Sequence, residues 1–330
     1  MARYAAIAGW GKYLPPRVLT NQDLERMVDT SDEWIRQRTG ICERRLLDEG
    51  EATSAMAIRA ARQALEQADL SAFALDLIIV ATSTPDYLFP ATACLVQDAL
   101  GAINAAAFDL EAACSGFLYA LSVGTNMIRS GTHENVLVIA ADTLSRITNW
   151  QDRNTCVLFG DGAGAVVLRG TSRPRGLLAC TLGAYGAGRD LIIQPAGGSA
   201  LPASAETVSS GQHFLHMQGN EVFRFAVRAM GQAAQEVMEK AALTPDDVTL
   251  FVPHQANLRI IEALAERMGL PRERVWINVD RYGNMSAATV PVALCEAAEA
   301  GRLQEGNRIV AVAFGAGLTW GAGVIQWGGV

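Results

Sequence analysis

The chain has 330 residues, half of them hydrophobic and 18% charged, with a formal net charge of −7. Such a length and apolar content bury one large core or two smaller ones, and the negative balance argues against a nucleic-acid or anionic-membrane surface while allowing a local basic patch. MARYAAIAG does not resemble a signal peptide and no window approaches the roughly 18 apolar residues of a membrane span, so a cytoplasmic location is expected.

In chain order, residues 5–8 read as a strand, Leu14-Pro15-Pro16 as a turn, and Asn21 opens a helix. Thr30-Ser31-Asp32-Glu33 fits a capping box ahead of a second short helix that carries Trp34 and Arg38. An Ala-rich helix follows at 51–70. The continuous apolar run 75–81 has the mark of a strand buried on both faces, and 91–100 reads as a helix. A strand at 105–110 hands over near Cys114 to a helix from Phe117, where apolar side chains recur at Phe117, Leu121 and Ile128. Another buried strand at 136–141 comes next, and 155–168 closes the first half.

The second half repeats this order. LDLIIVATSTPDYLFPATACLVQDALG set beside VTLFVPHQANLRIIEALAERMGL aligns strand with strand and helix with helix about 173 positions apart. NAAAFDLEAACSGFLYALSVG falls against RVWINVDRYGNMSAATVPVAL, NVLVIAAD against NRIVAVAF, and AGAVVLRG against WGAGVIQW. The helix at 51–70 has its counterpart at about 220–242. The pattern predicts two α/β halves, 1–170 and 171–330, with mixed or parallel sheets covered by helices and sites at the carboxyl ends of strands. The segment 171–219, rich in Gly, Ser and Ala, reads as a linker with inserted loops able to carry part of a binding tunnel.

Three chemistry-bearing residues fall at related strand ends: Cys114, Asn284 at the corresponding position of the second half, and His254 after the strand at 250–252. At a strand-to-helix junction the unpaired N–H groups and the positive end of the helix dipole favour a thiolate, the nucleophilic form of Cys114, and Gly116 leaves room for an acyl group. Each residue alone has a plainer reading: a buried Cys as a small hydrophobe, a lone His as a satisfied core group, an Asn beside Gly as a turn residue. Together they describe acyl transfer. A thiolate accepts an acyl group from a thioester, while a His N–H and an Asn amide stabilise an enolate oxygen and the turn Gly315-Ala316-Gly317 offers N–H groups to a tetrahedral oxyanion. The six cysteines form no CxxC pair and no Cys/His cluster at metal-ligand spacing, so no metal is expected, and the chemistry requires no redox cofactor.

FVPHQANLRII, RYGNMSAA, DLEAACSGF, DTSDEWIRQRTGI, LFGDGAGAVV and FGAGLTWG together resemble the beta-ketoacyl-acyl carrier protein synthase III family, condensing enzymes that initiate type II fatty acid synthesis, over essentially the whole chain. The resemblance implies a thiolase-like fold, duplicated α/β halves in an α-β-α-β-α layering, a homodimer and a ping-pong acyltransferase. Cys114 would take a short acyl group, commonly acetyl, from acyl-CoA. Malonyl-acyl carrier protein would then lose carbon dioxide while His254 and Asn284 steady the enolate. Both substrates come and go, and no cofactor stays bound. By the same resemblance Trp34 and Arg153 sandwich the CoA adenine with Thr30 and Arg38 nearby, and Gly219, Phe223 and Asn257 line the pantetheine tunnel. Arg224 and the run Gln255, Ala256, Asn257, Leu258 and Arg259 meet the acidic carrier protein. Phe89 occupies the position that reaches across the dimer to the acyl pocket, and its large ring suggests a short primer. Two departures stand out. Met285 follows Asn284 where many members have Thr, a change expected to reshape the pocket, and the carrier-facing lysines are Arg or absent, as Glu266-Arg267 shows.

Other chemistries share parts of this pattern. Cys, His and Asn in that chain order also describe papain-like cysteine hydrolases, but the CGSC signature is absent and the duplicated α/β pattern has no place there. A thioesterase on the same fold differs only in letting water reach the acyl-enzyme, and condensing enzymes of secondary pathways share the three residues. Gly160-Asp161-Gly162-Ala163-Gly164 suggests a dinucleotide loop, yet it leads into the strand-like 165–168 and not into a helix, and so reads as a tight turn.

Overall fold

The computed structural model describes residues 3–329. Its strands are β1 (Tyr4–Tyr13), β2 (Arg17–Thr20), β3 (Glu43–Leu46), β4 (Leu77–Ala81), β5 (Ala106–Leu110), β6 (Asn135–Thr143), β7 (Asp161–Thr171), β8 (Gly176–Ala184), β9 (Ile192–Ile193), β10 (His216–Met217), β11 (Leu250–Pro253), β12 (Arg308–Gly315) and β13 (Thr319–Gln326). The helices are α1 (Asn21–Glu25), α2 (Asp32–Thr39), α3 (Thr53–Gln67), α4 (Thr92–Leu100), α5 (Gly116–Arg129), α6 (Ala205–Ser209), α7 (Gly219–Lys240), α8 (Leu258–Arg267), α9 (Val279–Tyr282) and α10 (Thr289–Glu299).

Among the described residues, nine strands join in the order β11-β12-β13-β8-β1-β7-β6-β4-β5. The order is doubled about its middle. From the centre outward β1-β7-β6-β4-β5 is matched by β8-β13-β12-β11, and the place of β5 is taken by a single parallel bridge between Phe251 and Val275. The two runs meet where Ala5 of β1 pairs with Gly176 of β8. A constant stride of 173 positions relates them: β4 and β11 open at 77 and 250, α5 and α10 at 116 and 289, β6 and β12 at 135 and 308.

Helices α5 and α10 lie between the two runs of strands. Phe117, Leu121 and Ile128 of α5 and Val290, Leu294 and Ala297 of α10 share one core with Ile79, Val138 and Val166 on one side and Val252, Ala311 and Ile325 on the other. Each large aliphatic or aromatic side chain so buried contributes roughly 2 kcal/mol. Helices α3 and α4 cover the outer face of the first run, and α7 and α8 that of the second, over separate cores. This is the α-β-α-β-α layering, and it explains why β4 is buried at all five of its residues.

Two local expectations change. The cap of α2 is Ser31, whose Oγ accepts the Trp34 N–H at 3.1 Å, one residue later than the Thr30 frame. The reciprocal capping box occurs instead at α1, between Thr20 and Asp23. The second change is larger: 171–219 is no linker at its start, because β8 runs through it and joins the halves. Its small residues and partial burial hide the alternation, and pairing with β13 and β1 imposes the strand from outside. Loops with short elements begin only after Ala184. Among the described residues no helix is long and apolar enough to cross a membrane.

Candidate active site

A cavity of about 990 Å³ opens at the carboxyl ends of the strands, and Cys114, His254 and Asn284 all line it. Cys114 lies in a tight turn, Ala113–Ser115, between β5 and α5. The turn places Ala113 at φ 45°, a left-handed conformation that L side chains rarely adopt, and the Glu111 carboxylate holds it by accepting the Ala113 N–H at 2.9 Å. The second half builds the same turn at Ser286–Ala288, with Ser286 at φ 50° and the Asn284 Oδ1 accepting the Ser286 N–H at 2.8 Å.

By position and by hydrogen bond, then, the counterpart of Asn284 is Glu111, and that of Cys114 is Ala287. This corrects the expected pairing of Cys114 with Asn284 by three residues. Helix α9 stands where the second half would have a full copy of β5, and it shifts the register of that segment. The three residues nonetheless converge.

His254 follows β11, and its backbone N–H donates to Val312 O at 2.7 Å. Burial alone lowers its pKa to about 3, so the ring is neutral at any working pH. Nδ1 lies 2.6 Å from Thr289 Oγ1, which in turn lies 3.1 Å from Ser286 O. A hydroxyl has one proton to give. Donated to Ser286 O, it leaves His254 protonated at Nδ1 and a base at Nε2; donated to Nδ1, it makes Nε2 an N–H donor.

Burial pushes the Cys114 thiol up to about 12; a hydrogen bond from Ser286 opposes the rise and the Asp142 and Glu111 carboxylates add to it. Cys114 is half-buried in the cavity wall, and burial works against the thiolate that the helix start favours. Loss of water outweighs the helix terminus, and the resting pair is a thiol and a neutral imidazole. For Asn284 the commitment of Oδ1 to Ser286 leaves the NH2 end as the donor for the cavity.

Gly315 and Ala316 border the cavity, whereas Gly317 is exposed outside its lining. At the mouth stand Trp34 and Arg38 of α2, with the Arg153 guanidinium 4.7 Å over the Trp34 ring and that of Arg38 at 5.8 Å. Arg153 and Thr30 lie beyond the lining itself. Gly219, Phe223 and Arg224 of α7 line the tunnel opposite Ala256, Asn257 and Arg259, and the Arg259 guanidinium sits 5.4 Å over Phe223. Leu258 is half-buried outside the lining, beside Gly40. Gln255 is fully buried, donating to Pro253 O and Trp276 O and accepting from Asn278 N; it braces the turn after His254 and presents nothing to a docking partner.

Phe89 is 85% exposed on the loop before α4, beside exposed Tyr87 and Leu88, and lies outside this chain's cavity. Met285 does not reshape the cavity: it is fully buried among Leu14, Tyr282, Ala288 and Val292, with its sulfur against Gly162. The Gly160–Gly164 run opens β7, and a Cβ at Gly160 would meet Tyr282 O at 2.5 Å, so close packing and not phosphate binding explains that glycine. Sequence reasoning missed Glu111, Asp142, Ser286 and Thr289. The one visible signal was Asp142 itself, a charge ending the apolar run NVLVIAAD.

Family profiles for 3-Oxoacyl-[acyl-carrier-protein (ACP)] synthase III and its C terminal match residues 108–186 and 238–327. The chain is 57% identical over 327 residues to the beta-ketoacyl-[acyl-carrier-protein] synthase III of Roseiflexus sp. (strain RS-1), covering 99% of each. Among solved structures it is similar to the 3-oxoacyl-[acyl-carrier-protein] synthase III of Aquifex aeolicus VF5, with a TM-score of 0.91 and 49% identity over 98% of this chain and 100% of that one. It is also similar to the priming beta-ketosynthase of the R1128 polyketide biosynthetic pathway, with a TM-score of 0.92 and 35% identity over 99% and 97% of the two chains. With matches that run nearly end to end, the chain belongs to the beta-ketoacyl-[acyl-carrier-protein] synthase III family.

Proposed function

We propose that this protein is an acyltransferase that condenses a short acyl group from acyl-CoA, acetyl above all, with malonyl-acyl carrier protein. The products are a beta-ketoacyl-acyl carrier protein, CoA and carbon dioxide, the opening step of fatty acid biosynthesis. One observation carries the reading: a thiol and two side chains with donor capacity, Cys114, His254 and Asn284, line a single cavity.

In the first half-reaction the Cys114 proton passes to His254 Nε2 as the sulfur attacks the acyl-CoA carbonyl. The oxyanion forms beside the Cys114 N–H, the space that Gly315 leaves free of side-chain atoms. Collapse of the intermediate expels CoA, which takes the proton. In the second half-reaction the Thr289 hydroxyl donates to Nδ1 and the His254 ring carries its one proton on Nε2; the bond to the malonyl carboxylate breaks, carbon dioxide leaves, and the electron pair becomes an enolate whose oxygen accepts from His254 Nε2–H and Asn284 Nδ2–H. The enolate carbon attacks the acyl-Cys carbonyl, the carbonyl re-forms, and Cys114 departs as a thiolate that takes one proton from solvent, the proton that decarboxylation consumes.

Trp34, Arg38 and Arg153 form the adenine clamp of CoA, Thr30 adjoins it, and Gly219, Phe223 and Asn257 guide the pantetheine arm. Arg224 and Arg259 at the mouth receive the acidic carrier protein, against the negative net charge of the whole. The working unit is a cytoplasmic homodimer. Its support is the edge strand β5, open on one side, and the exposed apolar tip Tyr87, Leu88 and Phe89, which suits a partner's acyl pocket better than water.

The test is intact-protein mass spectrometry on wild type and Cys114→Ala, with acetyl-CoA and then malonyl-acyl carrier protein. An acetyl adduct on wild type alone, discharged as acetoacetyl-carrier protein, is expected. No adduct from a panel of acyl-CoAs would sink the reading, and release only as free acid would replace it with a thioesterase.

A further inference from the structure

The internal repeat matches the backbone around Cys114 with that around Ala287, and one of its pairings is lopsided. In the first half the Cys114 N–H is faced by Gly315, where a Cβ would stand 2.5 Å from the nitrogen. In the second half the Ala287 N–H is faced by Asp142, the residue 173 positions before Gly315, whose Oδ2 accepts it at 3.2 Å. One cradle is kept clear; its copy holds a carboxylate.

We infer that Asp142 is a positioning residue for decarboxylation: a built-in anion that fills, in the second half, the cradle the first half keeps open for the substrate oxyanion, and so fixes the turn that aims Asn284. The inference rests on the reaction proposed above.

The turn needs such a hold. Ser286 is a buried serine at φ 50°, and its N–H is tied to Asn284 Oδ1. Without the Asp142 carboxylate the Ala287 N–H would be a buried donor with no acceptor, and strain at Ser286 would relax through the very bond that orients the Asn284 amide. The other carboxylate oxygen, Oδ1, accepts Ser83 N at 2.8 Å and the Thr82 and Thr84 hydroxyls at 3.2 Å each. From there Ser83 Oγ reaches Glu111 at 3.1 Å, and Glu111 holds Ala113. Asp142 thus bonds the Asn284 turn directly, whereas its hydrogen bonds reach the Cys114 turn only through Ser83 and Glu111; its charge also pushes the Cys114 thiol up, so removing that charge does not slow acetylation. Its loss falls unequally on the two half-reactions.

Asp142→Asn keeps the shape and must turn one NH2 toward a donor. Three donors hold the oxygen on the Ser83 side, two of them hydroxyls and one a close N–H, so the NH2 faces the Ala287 N–H. The experiment measures single-turnover acetylation of Cys114 from acetyl-CoA and carbon dioxide release from malonyl-acyl carrier protein, on wild type, Asp142→Asn and Asp142→Ala, with thermal unfolding to show that each variant is folded. Asp142→Asn is expected to change acetylation by less than about threefold but to slow carbon dioxide release roughly 100-fold, the cost of a misdirected donor to a developing oxyanion, with KM for malonyl-acyl carrier protein little altered. A merely structural role lowers both half-reactions together. A parallel fall, an unchanged carbon dioxide release, or failure of both variants to fold overturns the inference. A wild type that neither acetylates nor releases carbon dioxide overturns the proposed reaction itself, and that result is read before any variant.

Discussion

Gly315 approaches Cys114 so closely that a Cβ on it would lie 2.5 Å from the Cys114 nitrogen and 2.8 Å from the Ala113 Cβ. Both neighbours belong to a turn already strained at Ala113, so neither can move aside. Gly315→Ala is therefore expected to fill the oxyanion space and displace the nucleophile. Acetylation of Cys114 should fall by roughly 100-fold or more, as for loss of one oxyanion donor. Retention of wild-type acetylation would mean the oxyanion forms elsewhere.

Thr289 decides which nitrogen of His254 carries the proton, because its hydroxyl lies within reach of both Nδ1 and Ser286 O. Thr289→Val removes the hydroxyl at nearly constant volume and leaves a buried Nδ1 without a partner. The expected result is a loss of kcat of about 10- to 100-fold, on the scale of general acid–base assistance, at unchanged KM for acyl-CoA, with rescue by Thr289→Ser. If Val and Ser behave alike, the hydroxyl has no part in setting the ring.

What was legible in the sequence follows from range. The runs at β4 and β11 declared buried strands because helices on both faces demand continuous apolar residues, and Cys114 and His254 stood out because few side chains do nucleophile and base chemistry. The pairing of Cys114 with Asn284 across the repeat is off by three residues, since α9 replaces a strand that sequence matching assumes. Asp142 and Glu111 act on backbone N–H groups, and Asp142 reaches Ala287 across 145 positions, a contact no local pattern records. Gln255 sits within a motif associated with docking yet turns inward to bond four backbone groups. Strand β8 was hidden for the same reason, being made by its neighbours.

Met285 bears on what controls primer choice. Its burial away from the cavity predicts that Met285→Thr leaves primer preference unchanged and costs stability instead, about 2 kcal/mol for lost volume and a hydroxyl placed in an apolar cluster. Thermal unfolding should register that loss. A shift in the preferred acyl-CoA, measured by competition between acetyl- and longer acyl-CoAs, would show that the side chain is felt in the cavity after all.

Glu296 secures the segment before Asn284 from the other side. Only 8% exposed, it accepts from Asn278 Nδ2 at 2.9 Å, Tyr282 Oη at 2.6 Å and both Arg281 amino groups at 3.0 and 3.2 Å, and so ties α9 to α10. Glu296→Ala leaves the buried Asn278 amide and Tyr282 hydroxyl without their acceptor while the exposed Arg281 turns to water, and the expected cost is about 2 kcal/mol, the range for unsatisfied buried donors. Glu296→Gln should recover part of it. Equal stability of wild type and Glu296→Ala in denaturant titration would show that water replaces the carboxylate without penalty.

Asp142 also leaves a signature in stability. Burial raises its pKa from 3.8 to about 6, against the pull of hydrogen bonds from Ser83, Ala287 and Thr84. In the pH range between those values the folded chain holds a proton that the unfolded chain has lost, so the contribution of Asp142 is fully present below the unfolded value and disappears as pH rises through about 6. Over the full range the change is about 3 kcal/mol. Asp142→Asn has no such titration, whatever constant cost its amide adds, and the remaining ionisable groups are common to both proteins and cancel in the difference. Wild-type stability measured relative to Asp142→Asn should therefore fall as pH is raised from about 4 to about 7, even if both proteins lose stability in acid for other reasons. A difference that is flat across that range would mean Asp142 is already ionised near pH 4, its donors outweighing burial; a difference that rises would mean they hold it below 3.8.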